Sequence, residues 1–191
     1  IKNHNFIKRI YSTYEIKASK NVKDKANFFA KRFAAKEAFV KSLGLANGDG
    51  PFNMEAFGGS PDDNNAFVFN QGAMDTLQPY IDNGQLVVNS GQLDMAEIAI
   101  QGWKPEGAQN RMDNLLTAFY ADKKVDLVLS PNDSLAQGIV ASLKAAGYTA
   151  DEMPVLTGQD CDTTNVKMII AGEQSMSIFK DTRTLATNTV D

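Results

Sequence analysis

Beyond residue 45 the apolar positions of the chain alternate between two patterns. "GPFNMEAFGG" is a short apolar segment behind a Gly-Asp-Gly-Pro turn, and it runs into "SPDDNNAFVFNQGAMDTLQPYI", where Ala66, Phe69, Ala73, Leu77 and Ile81 recur at helical spacing. This predicts a strand, a polar loop and a helix. "KVDLVLS" followed by "PNDSLAQGIVASLKAAG" repeats the unit, with Leu135, Ile139 and Leu143 on one face and Gly147 as the helix stop. "PVLTG" followed by "QDCDTTNVKMIIAG" repeats it again. Between the first two units "QLVVNSG" predicts a strand and "WKPEGAQNRMDNLLTAFYAD" a helix, and "SMSIFKD" predicts a last strand. Alternation of this kind predicts an α/β fold, a Rossmann-like parallel sheet with helices on both faces.

In such a sheet the strand carboxyl ends share one edge, where loops and helix starts converge and ligands bind. The sequence spends polar residues there: Asn64 after the first strand, Asn132 and Asp133 after "VDLVLS", Asp160 after "PVLTG", with Trp103 in "IQGWKPEG" also expected at that edge. Asp62, Asp63, Asp133 and Ser134 stand where helix caps are expected, which accounts for one polar residue per loop rather than three or four. Trp103 is either a core ring or a partly exposed loop ring, and Lys180, behind "SMSIF", is either a surface lysine or a donor aimed at the edge. Cys161 reads as a small packed residue.

Composition narrows the chemistry. The chain has 191 residues, 43% apolar and 22% charged, enough for one α/β core or one lobe of a larger protein. A single cysteine excludes an intrachain disulfide, and a single histidine, His4, excludes the common His-rich metal sites and leaves no intact Ser-His-Asp or Cys-His arrangement unless His4 serves in it. No cofactor and no metal are expected. The net charge of −4 hides an asymmetry, because residues 1–41 hold 11 of the 19 Lys and Arg but three of the 23 acidic residues. That segment stands at about +8 and the remainder at about −12, which argues against a nucleic-acid partner. The lysines of "KNVKDKANFFAKRFAAKEAFVKSLGL" fall between apolar residues at helical intervals and predict the solvated face of a helix.

"GSPDDNNA", "LSPNDSLAQGIVASLKAAGY", "VLTGQD" and "VKMIIAGEQSMSIFKDTRTLA" together resemble the periplasmic monosaccharide-binding proteins of ABC transporters, in the branch with the multiple-sugar and xylose receptors. The resemblance covers about residues 40–191 and rests on several motifs in order. It implies one lobe of a two-lobed periplasmic-binding-protein fold that closes on a sugar. Carried over by motif, Asn64 takes the place of a polar ligand to sugar hydroxyls, Trp103 that of the aromatic stacked on the pyranose, Asn132 and Asp160 the pair that bonds hydroxyls, and Lys180 the polar residue at the last crossover. On this reading 1–47 is a residual N-terminal-lobe or crossover segment, 48–178 the C-terminal sugar-binding lobe and 179–191 the return into the other lobe. The family's Tyr-rich strand and Asp-Asn pair before the helix ending in "KSLGL" are not matched here.

The resemblance further implies an aldohexose or aldopentose ligand, no catalysis, an ABC permease and a chemoreceptor as partners, and a periplasmic or membrane-anchored extracellular location. Two other classes use similar parts. A sugar-responsive transcription regulator needs a helix-turn-helix, for which residues 1–45 show no pair of short helices. A phospho-receiver needs an acidic pair near the first strand to hold magnesium, which "NMEAFGG" does not supply.

Overall fold

The computed structural model describes residues 16, 17, 19–21, 49–181, 183, 186 and 187. The helix expected from "KNVKDKANFFAKRFAAKEAFVKSLGL" lies outside the described residues. The chain divides into two units, one of residues 1–51 and 68–87 and one of residues 52–67 and 88–191.

The second unit is built on three parallel strands, β1 (Phe52–Ala56), β3 (Leu127–Leu129) and β4 (Val155–Leu156). β3 lies in the middle, with Met54, Glu55 and Ala56 opposite Leu127, Val128 and Leu129, and Leu127 and Val128 opposite Val155 and Leu156. All of β3 is buried, as a strand covered on both faces must be. The helix α1 (Asn64–Asp82) starts in this unit and from residue 68 belongs to the first, and two longer helices, α3 (Pro105–Phe119) and α4 (Asp133–Ala145), return the chain between strands of the second. The four-residue α2 (Met95–Ile98) precedes a single 3-10 turn over Gln101–Trp103, and α5 (Thr163–Ile170) follows β4. In the first unit the described strand is the two-residue β2 (Leu86–Val87).

The core packs α3 and α4 on the sheet. Met112 and Leu115 from α3 meet Leu135, Ile139 and Leu143 from α4, together with Phe57, Val128 and Leu156. Each large apolar side chain buried this way contributes roughly 1.5–3 kcal/mol. The helices approach closely because Gly138 has no side chain; a Cβ there would run into the Pro105 carbonyl. Gly147, at φ +91, ends α4 as the pattern predicted: its N–H bonds Lys144 O at 3.0 Å and that of Tyr148 bonds Leu143 O at 3.0 Å, a Schellman stop.

Two expectations need correction. "SMSIFKD" forms no strand and contributes one isolated parallel bridge, Gln159 to Ile178. The ladder stops there because Asp160 adopts φ +109 and turns the chain away. The cap of α4 is neither Asp133 nor Ser134 but Asn132, whose Oδ1 accepts the Leu135 N–H at 3.0 Å. Asp133 is already in the first turn and is fully buried.

Candidate functional site

Because β1, β3 and β4 are adjacent and parallel, the loops behind them line one edge. Behind β1, Gly58 extends the ladder by one bridge to Ala99, with its N–H on Ile98 O at 2.8 Å. Ser60, 1% exposed, then ties the two segments: its hydroxyl donates to Asp62 and accepts the Gly102 N–H at 2.7 Å. Gln101 reaches the other Asp62 oxygen at 3.4 Å. Trp103 follows at φ +56, its N–H on Ile100 O at 3.2 Å. Its ring lies so close over Gly59 that a Cβ on that glycine would stand inside it. The ring is half-buried and packed against the core, so the alternatives of core ring and exposed ring are both partly met. Asn64 opens α1 at the same loop and is exposed, while Asp63 accepts the Asn65 N–H at 2.8 Å.

Behind β3, Ser130 is locked to Thr157: the Ser130 N–H donates to Thr157 Oγ1 and that hydroxyl donates to Ser130 O, both at 2.8 Å. Asn132 follows, with its side-chain oxygen committed to the cap. Its Nδ2 group keeps two N–H donors at the edge.

Behind β4 the chain reaches Asp160 and Cys161, both with left-handed φ, +109 and +57. Among the described residues Trp103, Asp160 and Cys161 are the non-glycine residues in that region, and two of them are site candidates. Such conformations cost roughly 1–3 kcal/mol each and persist where surrounding bonds over-determine them, which is common at ligand sites. Here the Asp160 N–H bonds Ile178 O at 2.9 Å and the Cys161 N–H bonds Ser177 Oγ at 3.0 Å. The Lys180 ammonium sits 2.8 Å from Asp160 Oδ1 while the side chain stays 45% exposed, so Lys180 is both a surface lysine and a partner of Asp160.

The five candidates are thus placed behind three neighbouring strands, with Asp160 and Lys180 in direct contact. The Lys180 ion pair offsets the charge of Asp160, and Trp103 adds an apolar face; polar groups together with an aromatic ring suit a polyhydroxylated molecule. No group of three His, Cys, Asp or Glu able to hold a metal occurs among the described residues. Pattern reading missed Gly59, Ser60, Ser177 and Gln174, which support the candidates from behind. "FGGS" carried a signal for the first two, since paired glycines beside a strand end mark close approach; the other two carried none.

The family model of the periplasmic binding protein domain matches residues 30–191 of the chain. The chain belongs to that family. Within it, the multiple sugar-binding periplasmic receptor ChvE of Rhizobium radiobacter is 58% identical over 156 residues, covering 81% of this chain and 44% of the receptor. The crystal structure of an ABC transporter solute-binding protein from Clostridium phytofermentans with bound β-D-glucose superposes with a TM-score of 0.76 at 51% identity, over 81% of this chain and 48% of that one. The chain therefore spans less than half the length of these relatives. The expected Rossmann-like lobe is the fold they share. A separate, shorter likeness, 68% identical over 40 residues, is to the holo-[acyl-carrier-protein] synthase of Zymomonas mobilis, over 20% of this chain and 30% of the synthase.

Proposed function

We propose that this chain is the ligand-binding lobe of an extracytoplasmic solute-binding protein that captures a neutral monosaccharide, an aldohexose or aldopentose, for an ABC importer and performs no catalysis. The observation that carries the reading is the edge itself: behind neighbouring parallel strands stand an indole at Trp103, the cap residue Asn132 and a carboxylate at Asp160 paired with Lys180. A sugar hydroxyl both donates and accepts, so Asp160 takes hydroxyl protons while Asn132, Asn64 and Lys180 give N–H bonds, and the axial C–H patch of the ring rests on the indole. Removing one hydroxyl strands a polar partner, which costs roughly 1–3 kcal/mol.

Residues 48–178 form the sugar-binding lobe in this reading and 179–191 the return towards a second lobe. The likeness to periplasmic receptors of ABC transporters supports a periplasmic location and a permease partner, and we extend the proposal to a membrane-anchored extracellular form and a chemoreceptor partner. The same likeness favours this reading over a transcription regulator or a phospho-receiver. The likeness to the synthase covers under a third of that protein, and its activity is not proposed for this chain.

The test is a calorimetric and thermal-shift titration with glucose, galactose, xylose, arabinose and ribose. It uses this chain and a chimera that supplies the remaining residues from the Rhizobium receptor. Saturable stabilisation by at least one sugar, lost on Trp103→Ala or Asp160→Ala, is the expected result. A folded chimera that responds to none of the five overturns the reading.

A further inference from the structure

The turn that presents Asp160 is held by a fully buried carboxylate. Asp133 is 0% exposed, and its Oδ2 accepts the Asp162 N–H at 2.9 Å and the Ser177 hydroxyl at 2.8 Å. Oδ1 accepts the same hydroxyl at 2.8 Å and the Gln174 amide at 3.2 Å. The Gln174 amide also donates to Met176 O at 2.9 Å, and Gln174 Oε1 accepts from Asn165, whose amide bonds Asp133 O as well. Gln137 completes the chain by donating to Asn165 Oδ1 at 2.6 Å. Among the described residues no Lys or Arg pairs with this carboxylate, so hydrogen bonds alone satisfy it. Gly158 lets it sit against bare backbone; a Cβ there would run into Asp133 Oδ1 and Gln174 Nε2.

These bonds converge on one turn. Three successive N–H groups, those of Asp160, Cys161 and Asp162, are taken by Ile178 O, Ser177 Oγ and Asp133 Oδ2. The first two acceptors belong to the strap 174–178, and Asp133 grips that strap at Ser177 and Gln174. The strap ends two residues later at Lys180, which pairs with Asp160. The Asp133 N–H also bonds Gln159 O at 2.9 Å, and its chain neighbour is the cap residue Asn132. Left-handed φ at Asp160 and Cys161 is unfavourable for residues with a Cβ, so the turn relaxes when its acceptors are removed.

We propose that Asp133 is a positioning residue for ligand binding: it fixes the carboxylate of Asp160 and, through the strap, the ammonium of Lys180 in the orientation that bonds the sugar. The proposal rests on the sugar-receptor reading. An Asn at 133 keeps the volume but turns one acceptor into a donor facing groups that already donate, so the turn loses at least one of its ties.

The test follows the backbone and Trp103 indole N–H signals of the 191-residue chain by NMR while D-glucose is added, for wild type, Asp133→Asn, Ser177→Ala, Asp160→Ala and the double variant Asp133→Asn/Asp160→Ala. The expected result is a folded Asp133→Asn chain whose Trp103 indole still shifts with glucose at about tenfold weaker affinity. In that background Asp160→Ala costs less than about twofold more, the non-additivity of two residues acting as one unit. Should Asp133→Asn not fold, Ser177→Ala, which leaves the carboxylate bonded to Asp162 and Gln174, decides by the same non-additivity with Asp160→Ala. A variant that melts earlier but keeps wild-type affinity, or full additivity of the two losses, overturns the proposal. Absence of shifts with glucose, galactose and xylose both in the wild-type chain and in the folded chimera instead removes the sugar-receptor reading on which it rests.

Discussion

The loops behind β1 and β4 do the same task with different materials. Each prolongs its strand by a single parallel bridge, Gly58 to Ala99 and Gln159 to Ile178, and each is paired with a candidate ligand residue in a left-handed conformation, Trp103 or Asp160. In the first, the ligand group is held by shape: an indole laid on the bare backbone of Gly59, with one serine hydroxyl tying the turn. In the second it is held by polarity, through a buried carboxylate with acceptor bonds to three different residues. An apolar group can be seated by packing, but a charged one that must stay half-exposed needs its backbone fixed by hydrogen bonds behind it.

Glycine substitutions separate the two loops most sharply. Gly158→Ala pushes a methyl group into the Asp133 carboxylate and the Gln174 amide, neither of which has room to move, and is expected to cost about 2–4 kcal/mol of stability in urea titrations. Gly59→Ala meets the far end of an indole that can swing outward, so the expected stability loss is about 1 kcal/mol, while sugar affinity falls by about tenfold or more as the ring leaves its place. Equal stability losses in the two variants would contradict the division into shape-held and polarity-held loops.

A smaller effect is expected for Ser60→Ala, which frees the Gly102 N–H and removes the hydroxyl from Asp62: about 1 kcal/mol in the same titration. Tyr120 serves as a control outside both loops. Its hydroxyl donates to the buried Glu55 at 2.7 Å, and burial first, then that hydrogen bond, pushes the phenol above its ordinary value of 10.0. The folded state therefore keeps the proton where the unfolded chain loses it. Its contribution is fully present below pH 10 and declines above it, and Tyr120→Phe removes that alkaline slope without changing the relative order of the two glycine variants. Least of all, removal of residues 1–29, which precede the family match, is expected to leave any sugar response of the chain unchanged, as measured by thermal shift.

Much of this frame was legible as pattern. The alternation of apolar runs with helical spacing located β1, α1, β3, α4 and β4 and hence the edge on which Asn64, Asn132 and Asp160 stand. What escaped had no period to show. The four residues of α2 and the 3-10 turn before Trp103 are too short to carry one, and their placement follows from Gly58 and Ser60 hydrogen bonds made across the fold. "SMSIFKD" has strand composition, yet Ser177 turns its hydroxyl to Asp133 and Phe179 stays 64% exposed, so tertiary bonds overrode local preference. The cap shifted from Asp133 to Asn132 because either residue type serves at that place, and only the buried partners of Asp133 decide which one remains for it. The supporting residues Ser177 and Gln174 are ordinary polar residues in sequence, and their role lies wholly in what they meet.

The most direct measurement uses the fact that Trp103 is the single tryptophan of the chain. Intrinsic fluorescence of the folded chain, titrated with D-glucose, D-galactose and D-xylose and followed with acrylamide quenching, reports on this ring alone. A saturable change in emission is expected with at least one of these sugars, with reduced quenching at saturation as the sugar covers the exposed face of the indole. Emission and quenching that stay unchanged with all three, while the chain remains folded, would contradict the sugar-receptor reading.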